Sequence, residues 1–175
     1  MRGTKLWIGA IAALALLGAG TQSAGAGTYE HPKVVVSRGA LSDLSTVTAD
    51  PTDGASGAAF AISAHGQTRV MMLLWGLDRA QAGIVHGAHV HVGPCVAGSG
   101  ASAGPHYNAT GGASIDESAE VWLDFTITSF GFGFASTTVP FVIPAGGARS
   151  IVIHAAPTAP NGTAGPRLAC LPMEF

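Results

Sequence analysis

From Ala58 to Leu171 the chain consists of short runs rich in Val, Ile, Thr and Phe, broken every few residues by Gly, Pro, Asn or Ser clusters. No long amphipathic helical pattern competes with them. That punctuation restricts the chain to an antiparallel all-β architecture, a sandwich or a barrel. "AAFAIS" and "RVMMLLWGL" flank "AHGQT", which predicts a hairpin turning at Gly66. "IVHGAHVHV" predicts a third strand. "EVWLDFTITSF" and "STTVPFVI" on either side of "GFGFA" predict a second hairpin, and "RSIVIHA" and "RLACL" predict two further strands. The Gly/Ser/Ala-rich segment 98–112 and "APTAPNGTAGP" read as loops, where a site on a β scaffold is expected.

The N-terminus has a different character. Arg2 and Lys5 precede an apolar run from Leu6 to about Gly18, and the small-x-small triplet Ala24-Gly25-Ala26 follows. This is the layout of a cleaved secretory leader, residues 1–26. The alternative, an uncleaved anchor, requires about 20 apolar residues, which the run does not supply. Export places the protein in a secreted, periplasmic or cell-envelope compartment, with no membrane span after processing. Residues 27–44 read as an N-terminal arm and 45–175 as one β domain. Without Arg2 and Lys5, six Lys/Arg stand against ten Asp/Glu, a net charge of −4. That balance gives no basic patch for nucleic acid. Cys95 and Cys170 are the only cysteines. In an oxidising compartment one disulfide is the economical reading, with two buried thiols as the alternative.

Seven histidines are present: His31, His65, His86, His89, His91, His106 and His154. Residues two apart on a strand share a face, so His89 and His91 project together, with Cα atoms about 7 Å apart. His154 ends an apolar run and His106 lies in the Gly/Ser loop. Imidazole ligands suit copper, zinc, iron or nickel. The residues alone therefore give a candidate metal site of unspecified metal. His65 reads as an exposed turn residue and His31 as a free residue near the mature N-terminus. Trp75 and Trp122 read as strand positions. "NAT" at Asn108 and "NGT" at Asn161 are glycosylation patterns only.

Four segments then resemble, in order, the copper/zinc superoxide dismutase family. They are "GIVHGAHVHVGPC", "SAGPHYN" (the family has "SAGPHFN"), "GGARSIVIHA" and "NGTAGPRLAC". The resemblance covers roughly residues 45–171. It implies an eight-stranded Greek-key β-barrel and a superoxide dismutase using copper. The copper ligands would be His89, His91, His106 and His154, with His106 in the place of the family's metal-bridging histidine. Cys95 and Cys170 would form the intrasubunit disulfide. Arg167 would guide superoxide to the metal and, with His106, act in catalysis. His86 and Gly87 would support the ligands from behind.

The chain also departs from that family. No histidine is available for the two further zinc-ligand positions, so copper is expected and zinc is not. A carboxylate is expected to hydrogen-bond His106 instead: Glu120 or Asp124, with Glu117 as a third choice. Only twelve residues, none charged, separate His154 from Arg167, where the family has a longer charged loop. The tail "LPMEF" replaces the family's small apolar end, so a monomer or weak dimer is expected. The rival reading is a copper-binding domain for storage or delivery, without turnover.

Overall fold

The computed structural model describes residues 32–45 and 49–175. The expected leader 1–26 and His31 lie outside the described residues.

Ten strands account for most of the order: β1 (Lys33–Ala40), β2 (Ser42–Asp43), β3 (Ser56–Ala64), β4 (Gln67–Trp75), β5 (Val85–His86), β6 (Ala88–His91), β7 (Phe125–Thr126), β8 (Phe132–Val139), β9 (Ser150–His154) and β10 (Arg167–Pro172). The helical pieces among the described residues are two 3₁₀ turns, Arg79–Gln81 and Gly100–Ala103, and no helix there is long and apolar enough to cross a membrane. Antiparallel pairing builds a four-stranded sheet β1-β3-β4-β8, a second in the order β2-β10-β9-β6, and a small pair β5-β7.

Period-two burial locks the two large sheets together. Ala59, Ala61, Val70, Met72, Leu74, Ala135 and Val139 face inward from the first sheet. Ala88, Val90, Ile151, Ile153, Ala169 and Leu171 face them from the second, in one continuous core. A one-residue slip of any strand would reverse its buried and exposed faces, so the apolar alternation fixes the register. The two sheets are not closed into one hydrogen-bonded barrel. β1, an edge of the first sheet, approaches β10 of the second, where Ser37 Oγ donates to the Pro172 carbonyl.

The β3–β4 hairpin turns where expected. His65 and Gly66 both take positive φ, 51° and 76°, the geometry of a two-residue turn that follows the strand twist. Two other expectations are corrected. Residues 33–43 are not an arm: β1 runs the length of β3, from Lys33 opposite Ser63 to Ala40 opposite Ser56, and β2 pairs with β10. The β-branched run Val34-Val35-Val36 is the sequence signal for that edge strand; its burial alternates, but its residue types do not, and Val34 and Val36 are exposed. The second hairpin does not form either. The turn falls at residues 128–131 and takes in the first glycine of "GFGFA", the other four residues of that stretch open β8, and β7 and β8 belong to different sheets. Gly133 permits this arrangement, because a Cβ there would fall 2.4 Å from the Phe125 ring. "IVHGAHVHV" is likewise broken into β5 and β6 at Gly87.

Candidate metal centre

The second sheet turns one face to the core and the other to the site. On β6, Ala88 and Val90 enter the core, so His89 and His91 must project from the opposite face. On β9, Ile151 and Ile153 face the core, which sends Val152 and His154 outward beside them. Two passing segments cover that face and line β6: His106 bridges to His91, and Trp122 bridges to His89. Tyr107 N–H donates to the Val90 carbonyl at 2.8 Å and Leu123 N–H to the Ala88 carbonyl at 2.7 Å, and these bonds hold the two segments in place.

Four histidines from three parts of the chain thus meet. One ring nitrogen of each of His89, His91, His106 and His154 lies within 4.8 Å of the others. His89 and His91 are fully buried and His154 is 4 % exposed, while the His106 side chain keeps 18 % of its surface open. The other ring nitrogens are taken by the protein. His91 Nδ1 donates to the Gly104 carbonyl at 3.0 Å and His154 Nδ1 to the Gly165 carbonyl at 3.1 Å. Carbonyls only accept, so both rings carry their proton on Nδ1 and present bare Nε2 atoms, which face each other at 3.5 Å. Two nitrogens bound to one ion at ~2.0 Å sit about this far apart. His89 Nδ1 is buried without any partner. Bare nitrogens converging in a buried cluster, one of them orphaned, are the donor set an intermediate transition-metal ion takes.

Burial keeps the rings neutral and ready for a metal. Desolvation, with the neighbouring imidazoles and Arg167 adding to it, lowers His89 from 6.5 to about 2. The same desolvation lowers His91 to about 3 and His154 to about 4, the carbonyls of Gly104 and Gly165 opposing it in part. A buried charge is costly without a partner, so the neutral form is held.

Of the three carboxylates considered for His106, the structure pairs it with Glu120. Glu120 Oε2 accepts from His106 Nδ1 at 2.8 Å and from Trp122 Nε1 at 2.9 Å, and Oε1 accepts from Asn108 Nδ2 at 3.1 Å. Asp124 instead accepts from Thr158, from its N–H at 2.8 Å and from its hydroxyl, and Glu117 is exposed. Asn108 is fully engaged: its Nδ2 also donates to the Ser114 carbonyl, and its Oδ1 accepts from Thr110 and Gly112. The "NAT" amide is therefore committed to the site's framework.

His86 is outside the cluster. Its Nδ1 donates to the His154 carbonyl at 2.9 Å and its ring stacks on Phe125, so it holds the backbone of one cluster member. Gly87 leaves room for the covering loop: a Cβ there would fall 2.7 Å from Thr158 Oγ1 and 2.8 Å from Ala164 Cβ.

Arg167 stands directly opposite His154, and the register shifts between Arg167 and Ala169. By plain alternation Arg167 would share the core side with Ala169 and Leu171. The extra residue, Leu168, is a bulge that turns it to the site face. Leu168's carbonyl accepts from Leu44 and Ser45 N–H, which stabilises the bulge. Arg167 Nη1 donates to the Gly100 carbonyl at 2.6 Å. Cys95 and Cys170 are disulfide-bonded, with Cα atoms 5.6 Å apart and a sequence separation of 75. That bridge ties the loop carrying Gly100 to the strand carrying Arg167. A cleft of about 810 Å³ opens over His106, His154 and Arg167.

Sequence reasoning missed Trp122, Thr158 and the Gly104 and Gly165 carbonyls as parts of the site. Each is linked to a histidine only through the fold. Gly104 and Gly165 do carry a local signal, since both take positive φ, 67° and 75°, which favours glycine. No protein-family model matches the chain, and no curated protein matches it.

Proposed function

We propose that this is an exported copper protein of the copper/zinc superoxide dismutase type, which disproportionates superoxide to dioxygen and hydrogen peroxide. The observation that carries the reading is the buried four-histidine cluster with an orphaned His89 Nδ1 and a cationic Arg167 at its mouth. The four sequence motifs that resemble that family are the segments that build this site. We read the two sheets as the halves of that family's Greek-key barrel, and residues 1–26 as the export leader. The disulfide supports an oxidising compartment.

Bound copper would supply one-electron redox chemistry between Cu(II) and Cu(I), for which an all-imidazole set is suited. The chain's own residues do the rest. His89, His91, His106 and His154 hold the ion in a dry, pre-shaped pocket. Arg167, fixed by Gly100, presents a positive charge at the open side and draws in the small anion. His106, the most open of the four, takes and returns a proton at Nε2 while Glu120 keeps Nδ1 oriented. Glu120 occupies the nitrogen that would otherwise reach a second metal, which supports a copper site without zinc.

The rival reading, copper storage or delivery, is favoured by the absence of charge in residues 155–166. Metal analysis comes first. One tight copper per chain is expected, lost in His106→Ala, with no stoichiometric zinc after loading with both metals. A tight zinc would refute the copper-only form, and unchanged copper binding in His106→Ala would refute the ligand set.

A further inference from the structure

We propose that the outer face of the first sheet, β1-β3-β4-β8, is a contact surface for a second copy of this chain, the two copies related by a two-fold axis that runs across the strands. The metal centre lies on the other sheet, and the inference does not depend on it.

An antiparallel sheet with one face on the core usually turns polar side chains to water on the other. This sheet does not. Val36 is 67 % exposed and Phe134 is 61 % exposed, with Phe60 and Met71 half-buried between them. The pairing registers arrange the outward residues in four rows across the sheet. The rows are Val34-Ile62-Arg69-Thr138, Val36-Phe60-Met71-Ser136, Arg38-Ala58-Leu73-Phe134 and Ala40-Ser56-Trp75-Phe132. Among the described residues no carboxylate stands in any row. Apolar patches this broad on a protein surface mark contact sites.

The rows complement themselves. A two-fold axis between the two middle rows lays each strand antiparallel on its own copy, so the first row meets the fourth and the second meets the third. Phe60 then faces Ala58, Ile62 faces Ser56 and Phe134 faces Ser136. Large thus meets small at each of these points, as interdigitation across stacked sheets about 10 Å apart requires. Arg69 donates from Nε to Ser136 Oγ at 3.4 Å and forms no ion pair among the described residues. The axis places its guanidinium over the indole of Trp75 in the second copy, a cation–π partner. Each such contact occurs twice, as an isologous interface demands.

The area is sufficient. Four strands about 4.8 Å apart and eight residues long, at about 3.4 Å each, present roughly 500 Å² per copy. Two copies together cover about 1,000 Å², the level at which a specific interface begins. Sheets stacked at about 30° keep the central pairs in register and splay only the corners. The apolar side chains are spread over a broad plane rather than gathered at a protruding tip, a shape that meets another sheet better than it enters a bilayer.

Sedimentation equilibrium of the purified protein tests the proposal. A reversible dimer is expected, with a dissociation constant on the order of 1–100 μM. Leu73→Lys buries a charge near the axis and should raise that constant at least about thirtyfold. Ala58→Phe sets two rings against each other and should raise it at least about tenfold. Combining Ala58→Phe with Phe60→Ala exchanges the large and small partners and should restore dimerisation to within about threefold. All three positions face away from the core, and near-ultraviolet circular dichroism checks that each variant is folded. A protein that stays monomeric about tenfold above that range overturns the proposal, including one that instead binds vesicles of anionic phospholipid. A dimer indifferent to Leu73→Lys overturns the surface, and a double variant no better than Ala58→Phe alone overturns the two-fold arrangement. Copper affinity should be the same in every variant, so the outcome is independent of the metal-centre reading.

Discussion

Arg167 faces His154 across the β9–β10 pair because Leu168 bulges between Arg167 and Ala169. Without the bulge the guanidinium would point at the apolar core. Burial lowers the Arg167 pKa somewhat, but the group remains cationic at any working pH. Arg167→Ala should therefore leave copper affinity unchanged and slow superoxide consumption about tenfold, with most of its salt dependence lost, since steering by a local charge contributes about 10–1,000-fold. Arg167→Lys should fall between. Pulse-generated superoxide decay at two ionic strengths provides the measurement, and an unchanged rate would remove Arg167 from the account.

Glu120 is buried at 4 % exposure and holds three donors. Glu120→Gln keeps the volume but turns one acceptor into a donor, facing His106, Trp122 or Asn108. Leaving a buried donor unpaired costs about 1–3 kcal/mol. The variant should lose that much stability in denaturant titration and bind copper about 10–100-fold more weakly. A variant matching the parent in both would show that the carboxylate does not orient His106.

The three lowered histidine pKa values give a signed pH dependence for the metal-free protein. Above pH 6.5 the rings are neutral folded and unfolded, and contribute no slope. Below 6.5 the unfolded chain takes up protons that folded His89, His91 and His154 refuse until about pH 2, 3 and 4. Stability should fall as pH drops from 6.5 to 4, by up to about 1.4 kcal/mol per pH unit for each ring. Denaturant midpoints between pH 7.5 and 4.5 test this. Copper loading should flatten the slope, and a flat profile without metal would contradict neutral burial.

Reduction of the Cys95–Cys170 disulfide, or Cys95→Ser with Cys170→Ser, should remove up to about 4 kcal/mol of stability in the chain-entropy view. It should also release Gly100 from Arg167. The expected signature is a slower superoxide reaction at full copper occupancy. Equal turnover before and after reduction would separate the disulfide from Arg167's placement.

Much of this was legible in the sequence, for physical reasons. The all-β class followed from short apolar runs and turn residues, and the hairpin at His65-Gly66 from its local turn chemistry. His89 and His91 share a face because strand parity demands it. What stayed hidden depended on contacts distant in sequence. β1 was missed because an eight-residue edge strand carries only half an apolar pattern. "GFGFA" read as a turn because its glycines look like breakers, whereas Gly133 is there to admit Phe125. Glu120 and Asp124 could not be told apart by spacing alone. Thr158 and Trp122 had no signal, since nothing local marks a hydroxyl or an indole that will meet an imidazole after folding.

The central claim is that this four-histidine site turns over superoxide, and stopped-flow decay of superoxide over copper-loaded and metal-free protein tests it most directly. A catalytic second-order rate is expected for the copper form, far above spontaneous dismutation and absent from the metal-free form and from His106→Ala. A copper-loaded protein with one tight ion per chain that removes superoxide no faster than the metal-free protein would contradict it and leave copper storage or delivery as the function.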